Sequence, residues 1–174
     1  MMRTDKELAL YKFDELLKTL ITLSSPAERQ IEICGIGCPG DEMANDFDSY
    51  YTHCRKLYAE QGLMAPTQFE AMDDLDRYLE SRSGQNYSGF WEDTASLFSH
   101  PDWEEIRSLA RSCLRSLGKS HLDLEVFHET EETQGRNGTT LLIQRTKTGL
   151  KQSQGTQPED PAVTKKTSRR RCQT

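Results

Sequence analysis

Residues 25–48 read SPAERQIEICGIGCPGDEMANDFD, and this stretch decides the fold that we expect for the chain. Pro26 marks a helix start, because proline at the first helical position gives up an N–H that would have no partner there. Gly35 and Gly37 then interrupt the helix, and the acidic pair after Gly40 favours the first turn of a new one. The stretch therefore predicts two helices joined by a glycine-rich connector.

Amphipathic helices are predicted on both sides of this stretch. Thr4 and Glu7 have the spacing of a capping box, and apolar residues recur at helical intervals over residues 5–23. The same periodicity predicts a helix over residues 41–60 and a last long one over residues 101–117. Each of these helices has one apolar face to bury, so the sequence predicts that they pack together.

We predict an all-α fold, a compact orthogonal bundle of five to six helices that forms one acidic domain over residues 4–118. The remainder, residues 119–174, has the composition of a weakly ordered, basic, low-complexity tail, which we expect to be disordered toward its end. Within it, alternating apolar residues allow a marginal β-hairpin at 121–146, with a turn at Asn137 and Gly138. Helices are therefore expected to carry the fold.

The charge of the chain is divided unevenly. Its 174 residues carry a net charge of -6. Residues 1–118 hold 12 Lys/Arg against 21 Asp/Glu, whereas residues 119–174 hold 10 against 7. An acidic body attracts basic surfaces and repels phosphate backbones, and a basic tail does the reverse. The body is therefore expected to bind a basic protein partner.

The sequence predicts a cytoplasmic protein with no membrane partner. It has no run of about 20 apolar residues, the length that crosses a bilayer. Its first residues lack the apolar segment and the cleavage site of a secretory signal. Its five cysteines show no paired spacing, which favours reduced thiols over a disulfide framework.

The densest run of carboxylates lies in the predicted third helix. We predict that this acidic face binds the basic partner, and its residues are Asp41, Glu42, Asp46 and Asp48. The leading hypothesis is therefore a non-enzymatic protein–protein interaction module. The alternative is a metal-dependent or acid/base enzyme, because Glu42 and Asp46 share a helix face, with His53 following.

Soft metal ligands lie close together in the same part of the chain: Cys34, Cys38, His53 and Cys54. Zinc binds such thiolates and imidazoles in a tetrahedron. However, the paired spacing typical of zinc sites is missing, and adjacent residues of a helix project to different sides. We therefore predict no metal and no cofactor, with these four residues as the metal alternative.

The end of the chain holds a basic run of five cations: Lys165, Lys166, Arg169, Arg170 and Arg171. Lysine and arginine neutralise phosphates, so this basic run offers a third function, that of a nucleic-acid-associated protein. No aromatic residue lies within it to stack on bases. Nucleic acid is therefore expected as a partner only through these five residues.

Three segments of the chain resemble a family of small bacterial all-helical proteins. Residues 25–31, SPAERQI, are similar to that family's SPAEVQI, and residues 41–48, DEMANDFD, are similar to its DELALDFDD. Residues 103–111, WEEIRSLAR, resemble its W-E-E-V-R-x-L-A-R. The resemblance covers roughly residues 8–117 and implies a helical fold with no catalytic residues. In character, the small acidic members are similar to immunity proteins that neutralise toxins, so the resemblance implies an immunity-like or antitoxin-like protein.

Overall fold

A computed structural model describes residues 4–134 and 139–153 of the chain. Within these residues, helices α1 to α8 are followed by strands β1 and β2 of one hairpin. The bounds are α1 Asp5–Ser24, α2 Ala27–Cys34, α3 Pro39–Tyr50, α4 Arg55–Glu60, α5 Pro66–Glu80, α6 Ser88–Glu92, α7 Ser96–Ser99, α8 Pro101–Ser116, β1 Leu122–Gln134 and β2 Thr140–Gln152. Short 3-10 helices occupy Thr52–Cys54 and Gln85–Tyr87. Among the described helices, none is both long enough and apolar enough to cross a membrane.

The helical core is organised around α8. Both α1 and α5 pack against it. The buried face of α8 includes Trp103, Ile106, Ala110 and Cys113. These residues recur every three or four positions, so they lie on one side of the helix. The apolar stripe that the sequence predicts for this segment is therefore the face that joins α8 to its neighbours.

The helices α5 and α8 run antiparallel, and a hydrogen bond marks each end of the pair. The Gln68 side chain donates to the Ser116 carbonyl at 3.0 Å. The Tyr78 hydroxyl donates to the Asp102 carboxylate at 3.2 Å. The C-terminal end of α5 therefore lies beside the N-terminal end of α8.

A buried arginine joins α8 to the turn between α1 and α2. Arg107 is only 8% exposed. Its Nε donates to the Ser25 carbonyl at 3.0 Å, and its Nη2 donates to Gln30 Oε1 at 3.0 Å and to the Leu97 carbonyl at 2.6 Å. A buried cation is costly unless it is paired and hydrogen bonded, and Glu104 supplies a carboxylate at 3.6 Å. Arg107 therefore fixes how three segments of the chain meet.

The predicted all-α class is wrong, because residues 122–152 contain an antiparallel two-stranded sheet. Each strand is 13 residues long. The hairpin therefore continues past the marginal one that the sequence allowed at 121–146. The turn predicted at Asn137 and Gly138 lies outside the described residues, as does the part of the predicted 119–174 tail that follows residue 153.

Charge pairs across the strands stabilise this hairpin. Glu129 on β1 contacts Lys147 on β2 at 2.7 Å, and Glu131 contacts Arg145 at 3.4 Å. Both pairs are diagonal, because the register places Glu129 opposite Arg145 and Glu131 opposite Ile143. Long side chains of opposite charge remain within reach at diagonal positions of an antiparallel pair. Within the two described strands, the Asp and Glu residues are all on β1 and the Lys and Arg residues are all on β2. The register therefore brings acidic residues against basic ones.

Packing against the bundle explains why the hairpin forms, since an isolated hairpin is marginal in water. Leu124 is completely buried and belongs to the same hydrophobic core as the helices. Arg29 on α2 donates to the Leu124 carbonyl. Gly35, just after α2, has φ +76°, and a Cβ there would lie 2.8 Å from Thr146 Oγ1. Glycine therefore lets the end of α2 approach β2 closely.

The single helix predicted over residues 41–60 is interrupted after Tyr50. Tyr51 is completely buried, and its hydroxyl donates to Asp73 on α5. The Tyr50 carbonyl accepts a hydrogen bond from the Tyr58 hydroxyl. The chain therefore forms two helices, α3 and α4, with one buried tyrosine in the break and another after it.

Candidate functional site

The four carboxylates predicted on one acidic face of α3 lie in two rows. Asp41 and Asp48 line a cleft between α3 and α5, whereas Glu42 and Asp46 line a cleft against α1 and β2. Successive residues of a helix are rotated by about 100°, so positions seven apart share one side. Glu42 and Asp46 are four positions apart and share a different side. The structure therefore divides the predicted acidic surface between two clefts.

We name the cleft between α3 and α5 the acidic groove; its volume is about 440 Å³. Its carboxylates come from both helices and belong to Asp41, Asp48, Asp76 and Glu80. Apolar side chains also line it, namely Ala44, Phe47, Leu79 and Trp91. The described residues that line the groove include no lysine and no arginine. The groove therefore combines four negative charges with an apolar surface.

The carboxylate of Asp76 is repelled by neighbouring carboxylates in and beside the acidic groove. Burial raises the pKa of Asp76 above its usual range, although a hydrogen bond from Thr52, 3.1 Å long, lowers it in part. The nearby charges of Glu80, Asp48 and Asp73 raise this pKa further. A cation that entered the groove would relieve this repulsion, because an opposite charge nearby favours the ionised carboxylate.

Trp91 forms a fixed wall of the acidic groove. Its Nε1 donates to the Arg82 carbonyl at 2.8 Å. Arg82 is itself held by Asp102 at 2.7 Å, and its guanidinium lies 3.5 Å from the centroid of the Tyr78 ring. Trp91 also packs edge-on against Trp103, with ring centroids 5.6 Å apart. The wall is therefore ordered before any ligand binds, which lowers the entropic cost of binding.

The second cleft lies between α1, α3 and β2, and its volume is about 200 Å³. Glu42 and Asp46 line it together with Glu15, which forms an ion pair with Lys18 at 2.7 Å. Burial raises the pKa of Asp46, and the charge of Glu15 adds to this shift. Burial also raises the pKa of Glu42, with the charge of Asp46 as the next cause. Both carboxyl groups are therefore harder to ionise than a carboxyl group in water.

Cys34 lines the second cleft as a protonated thiol. Burial raises its pKa to about 12, and the charges of Glu42 and Asp46 contribute to the increase. The thiolate, not the thiol, is the nucleophile and the metal ligand. At neutral pH, Cys34 is therefore unsuited to either role.

The other candidate thiols have different surroundings. Cys38 is exposed just before α3, whereas Cys54 is buried and its thiol donates to the Ser49 carbonyl at 3.5 Å. In the part of the chain that the structure describes, no three His, Cys, Asp or Glu side chains are grouped to hold a metal ion. The described residues therefore offer no arrangement that corresponds to the metal alternative.

The structure does not bring His53 together with Glu42 and Asp46. The Nδ1 atom of His53 lies 3.2 Å from Asp48 Oδ2 and 3.0 Å from the Asp48 carbonyl. His53 is exposed and is not among the described residues that line the second cleft. The histidine and the two carboxylates of the predicted acid/base set therefore occupy different surfaces.

Asp76 and Glu80 belong to the groove but were not among the site residues predicted from the sequence. Both lie outside the apolar stripe of α5 and are four positions apart, so helical spacing places them on one face. This signal identifies an acidic face of α5. It does not show that α3 lies across the groove, because the two helices are distant in the sequence.

Comparison with protein-family models finds no match for this chain, and comparisons with curated proteins and with solved structures find none either. The candidate site is therefore interpreted from its own geometry and charge. The acidic groove is the larger of the two clefts and has the greater apolar surface.

Proposed function

We propose that this protein is a non-enzymatic interaction module that binds a basic segment of a partner protein in the acidic groove. The observation that best supports the proposal is the composition of the groove, with four carboxylates, an apolar wall and no lysine or arginine among the described lining residues. A basic side chain matches both features, because its aliphatic stem covers apolar surface while its charged end contacts carboxylates. Such binding is fast and sensitive to salt.

Arginine suits the acidic groove better than lysine. Its planar guanidinium forms two parallel hydrogen bonds to a carboxylate and also stacks on aromatic rings. The groove offers both, since Trp91 lines it together with Asp48 and Glu80. We therefore expect a hexa-arginine peptide to bind more tightly than a hexa-lysine peptide of equal charge.

Fluorescence anisotropy of a labelled hexa-arginine peptide tests the proposal. Reversing two groove charges, with Asp48→Lys and Glu80→Lys, should weaken binding by at least about tenfold, since a charge-assisted contact is worth about 1.5–3 kcal/mol. The matched control, Asp14→Lys with Glu105→Lys, makes the same change in net charge at exposed residues outside the groove. It should weaken binding less than about threefold, because salt screens distant charges. Equal weakening by both pairs would contradict the proposal.

Single substitutions distinguish the two clefts. Asp48→Asn removes a carboxylate of the acidic groove, whereas Asp46→Asn removes one from the second cleft. Under the proposal, only the change at Asp48 weakens the binding of hexa-arginine. If only the change at Asp46 weakened binding, the peptide would instead bind in the second cleft.

The resemblance to small bacterial helical proteins extends the proposal to the kind of partner. An immunity-like or antitoxin-like protein binds a toxin, and a basic toxin surface would complement the acidic groove. Co-purification from a native lysate, followed by mass spectrometry, would identify such a partner. The variant with Asp48→Lys and Glu80→Lys should release it.

The two other functions considered from the sequence have less support. The enzyme alternative requires His53 beside Glu42 and Asp46, and His53 instead contacts Asp48. The nucleic-acid alternative depends on the basic run, which lies outside the described residues, so it stays a prediction.

A further inference from the structure

We propose that the basic run of this chain is itself a ligand of the acidic groove and competes there with the basic segment of a partner. The inference rests on the proposed function, because it concerns the same groove. It adds regulation, since a partner must displace the chain's own segment before it binds. Three features support it: the complementary charges of the run and the groove, the length of the chain between them, and the high effective concentration of a tethered segment.

The charges of the basic run and of the acidic groove are complementary. The basic run has five cations within residues 165–171, and no Asp or Glu follows Asp160. The groove has four carboxylates and no cation among its described lining residues. Opposite charges within a Debye length, about 8 Å at physiological ionic strength, attract with little screening. Binding of the run would therefore relieve the repulsion among the groove carboxylates.

Measured along the axis of α8, the chain before the basic run is long enough to reach the level of the acidic groove. The described chain ends near the C-terminal end of α8, since the Ser153 N–H donates to the His121 carbonyl at 2.7 Å. The groove lies toward the other end of α8, because Tyr78 on the last turns of α5 contacts Asp102. With 16 residues, α8 is about 24 Å long at 1.5 Å per residue. Residues 154–164 can span about 36 Å at about 3.3 Å per residue.

Tethering makes even a weak segment an effective competitor. A short tether gives an effective concentration on the order of 1 mM. If the basic run binds with a dissociation constant of about 0.1 mM, the apparent affinity of a free ligand for the groove falls about tenfold. Removing the charge of the run should therefore tighten the binding of an external basic peptide by about that factor.

The test uses the full chain and the labelled hexa-arginine peptide. One variant replaces the five cations of the basic run by glutamine: Lys165→Gln, Lys166→Gln, Arg169→Gln, Arg170→Gln and Arg171→Gln. It should bind the peptide about tenfold more tightly than the unmodified chain. The five changes also alter the net charge, so they are repeated in the variant with Asp48→Lys and Glu80→Lys. In that variant, the five glutamine substitutions should leave the affinity for the peptide unchanged.

The outcomes separate this inference from the proposed function. If peptide binding depends on the groove charges but is unchanged by the five glutamine substitutions, the inference is overturned and the proposed function stands. If the five substitutions tighten peptide binding equally in the variant with Asp48→Lys and Glu80→Lys, the inference is also overturned, because the effect would then come from net charge. Absence of groove-dependent binding in every variant refutes the proposed function and the inference with it. Sedimentation velocity adds a last check: a dimer that the groove reversal dissociates would show that the run binds a second copy, and not its own chain.

Discussion

Gly40→Ala should destabilise the protein and alter the acidic groove at the same time. Gly40 lies in the first turn of α3, and a Cβ there would meet the Trp91 carbonyl oxygen at 2.6 Å and Trp103 Cζ2 at 3.0 Å. Favourable contacts between heavy atoms lie near 3.5–4.0 Å. The closer neighbour is a backbone atom, which cannot rotate away, so α3 and α6 must move apart. Trp91 belongs to the wall of the groove and would move with α6.

The size of the effect follows from two opposing contributions. Adding an atom to a packed core costs about 1–3 kcal/mol, whereas the higher helix propensity of alanine contributes at most about 1 kcal/mol. We therefore expect the free energy of unfolding to fall by about 1–2 kcal/mol, which lowers Tm by about 2–8 °C for a domain of this size. Gly89→Ala is the matched control, because a Cβ at Gly89 in α6 meets nothing within 4 Å. It should leave stability unchanged or raise it by up to about 1 kcal/mol.

Urea unfolding followed by circular dichroism measures both free energies, and the affinity for hexa-arginine measures the state of the groove. Gly40→Ala should lower the stability and Gly89→Ala should not, and only Gly40→Ala should weaken the binding of the peptide. A Gly40→Ala protein with unchanged stability and affinity would refute the packing of Trp91 against α3.

Three further substitutions test other parts of the molecule. Arg107→Met should lower the free energy of unfolding by about 3 kcal/mol or more in urea, because three acceptors, two of them buried, lose their donor, and Arg107→Lys should restore part of it. Asp46→Asn should raise stability at pH 7 and not at pH 3, measured by urea unfolding at each pH. The pKa of Asp46 is raised in the folded protein, so ionising this carboxyl group lowers the stability. This loss grows as pH rises from the ordinary pKa of 3.8 through the folded pKa, and it is absent at pH values below both pKa values. Leu124→Ala should cost about 2–5 kcal/mol, whereas Leu142→Ala, at a side chain 65% exposed, should cost less than about 0.5 kcal/mol in thermal unfolding.

Each of these substitutions also has a contrary outcome. A negligible effect of Arg107→Met would mean that its hydrogen bonds do not hold the three segments together. A gain from Asp46→Asn that is the same at both pH values would exclude ionisation as its cause. Equal costs at Leu124 and Leu142 would show that the hairpin is not packed on the bundle.

Helix starts are the part of the fold that local sequence predicts well. The capping box is confirmed, since the Glu7 N–H donates to Thr4 Oγ1 at 3.2 Å and the Glu7 carboxylate accepts from the Thr4 N–H at 2.8 Å. Capping involves residues within three positions, so it is readable without tertiary structure. The start of α2 differs by one residue, because Pro26 precedes its first turn and the helix begins at Ala27.

The hairpin depends on information that local sequence does not contain. Its alternating apolar residues are visible in the sequence, but alternation alone predicts only a marginal structure. Its order also requires the burial of Leu124 and contacts such as that from Arg29 to the Leu124 carbonyl, 95 positions away. The all-α prediction failed because these long-range contacts outweigh the polar composition of the segment.

The chemistry of the candidate site is more predictable than its geometry. Spacing along α3 indicates that Asp41 and Asp48 share a side, and spacing along α5 indicates the same for Asp76 and Glu80. The tertiary structure decides that α3 and α5 lie across the acidic groove from each other, and no periodic pattern in the sequence specifies this arrangement. The same limit applies to His53, whose contact with Asp48 depends on the break between α3 and α4.

The arrangement of Trp91 and Trp103 gives the molecule an optical reporter of its own. They are the two tryptophans of the chain; Trp103 is completely buried, whereas Trp91 is partly exposed in the acidic groove. Covering Trp91 removes water from one indole and leaves the other unchanged. A ligand in the groove should therefore shift the intrinsic emission of the protein to shorter wavelength, and occupancy becomes measurable without any attached dye.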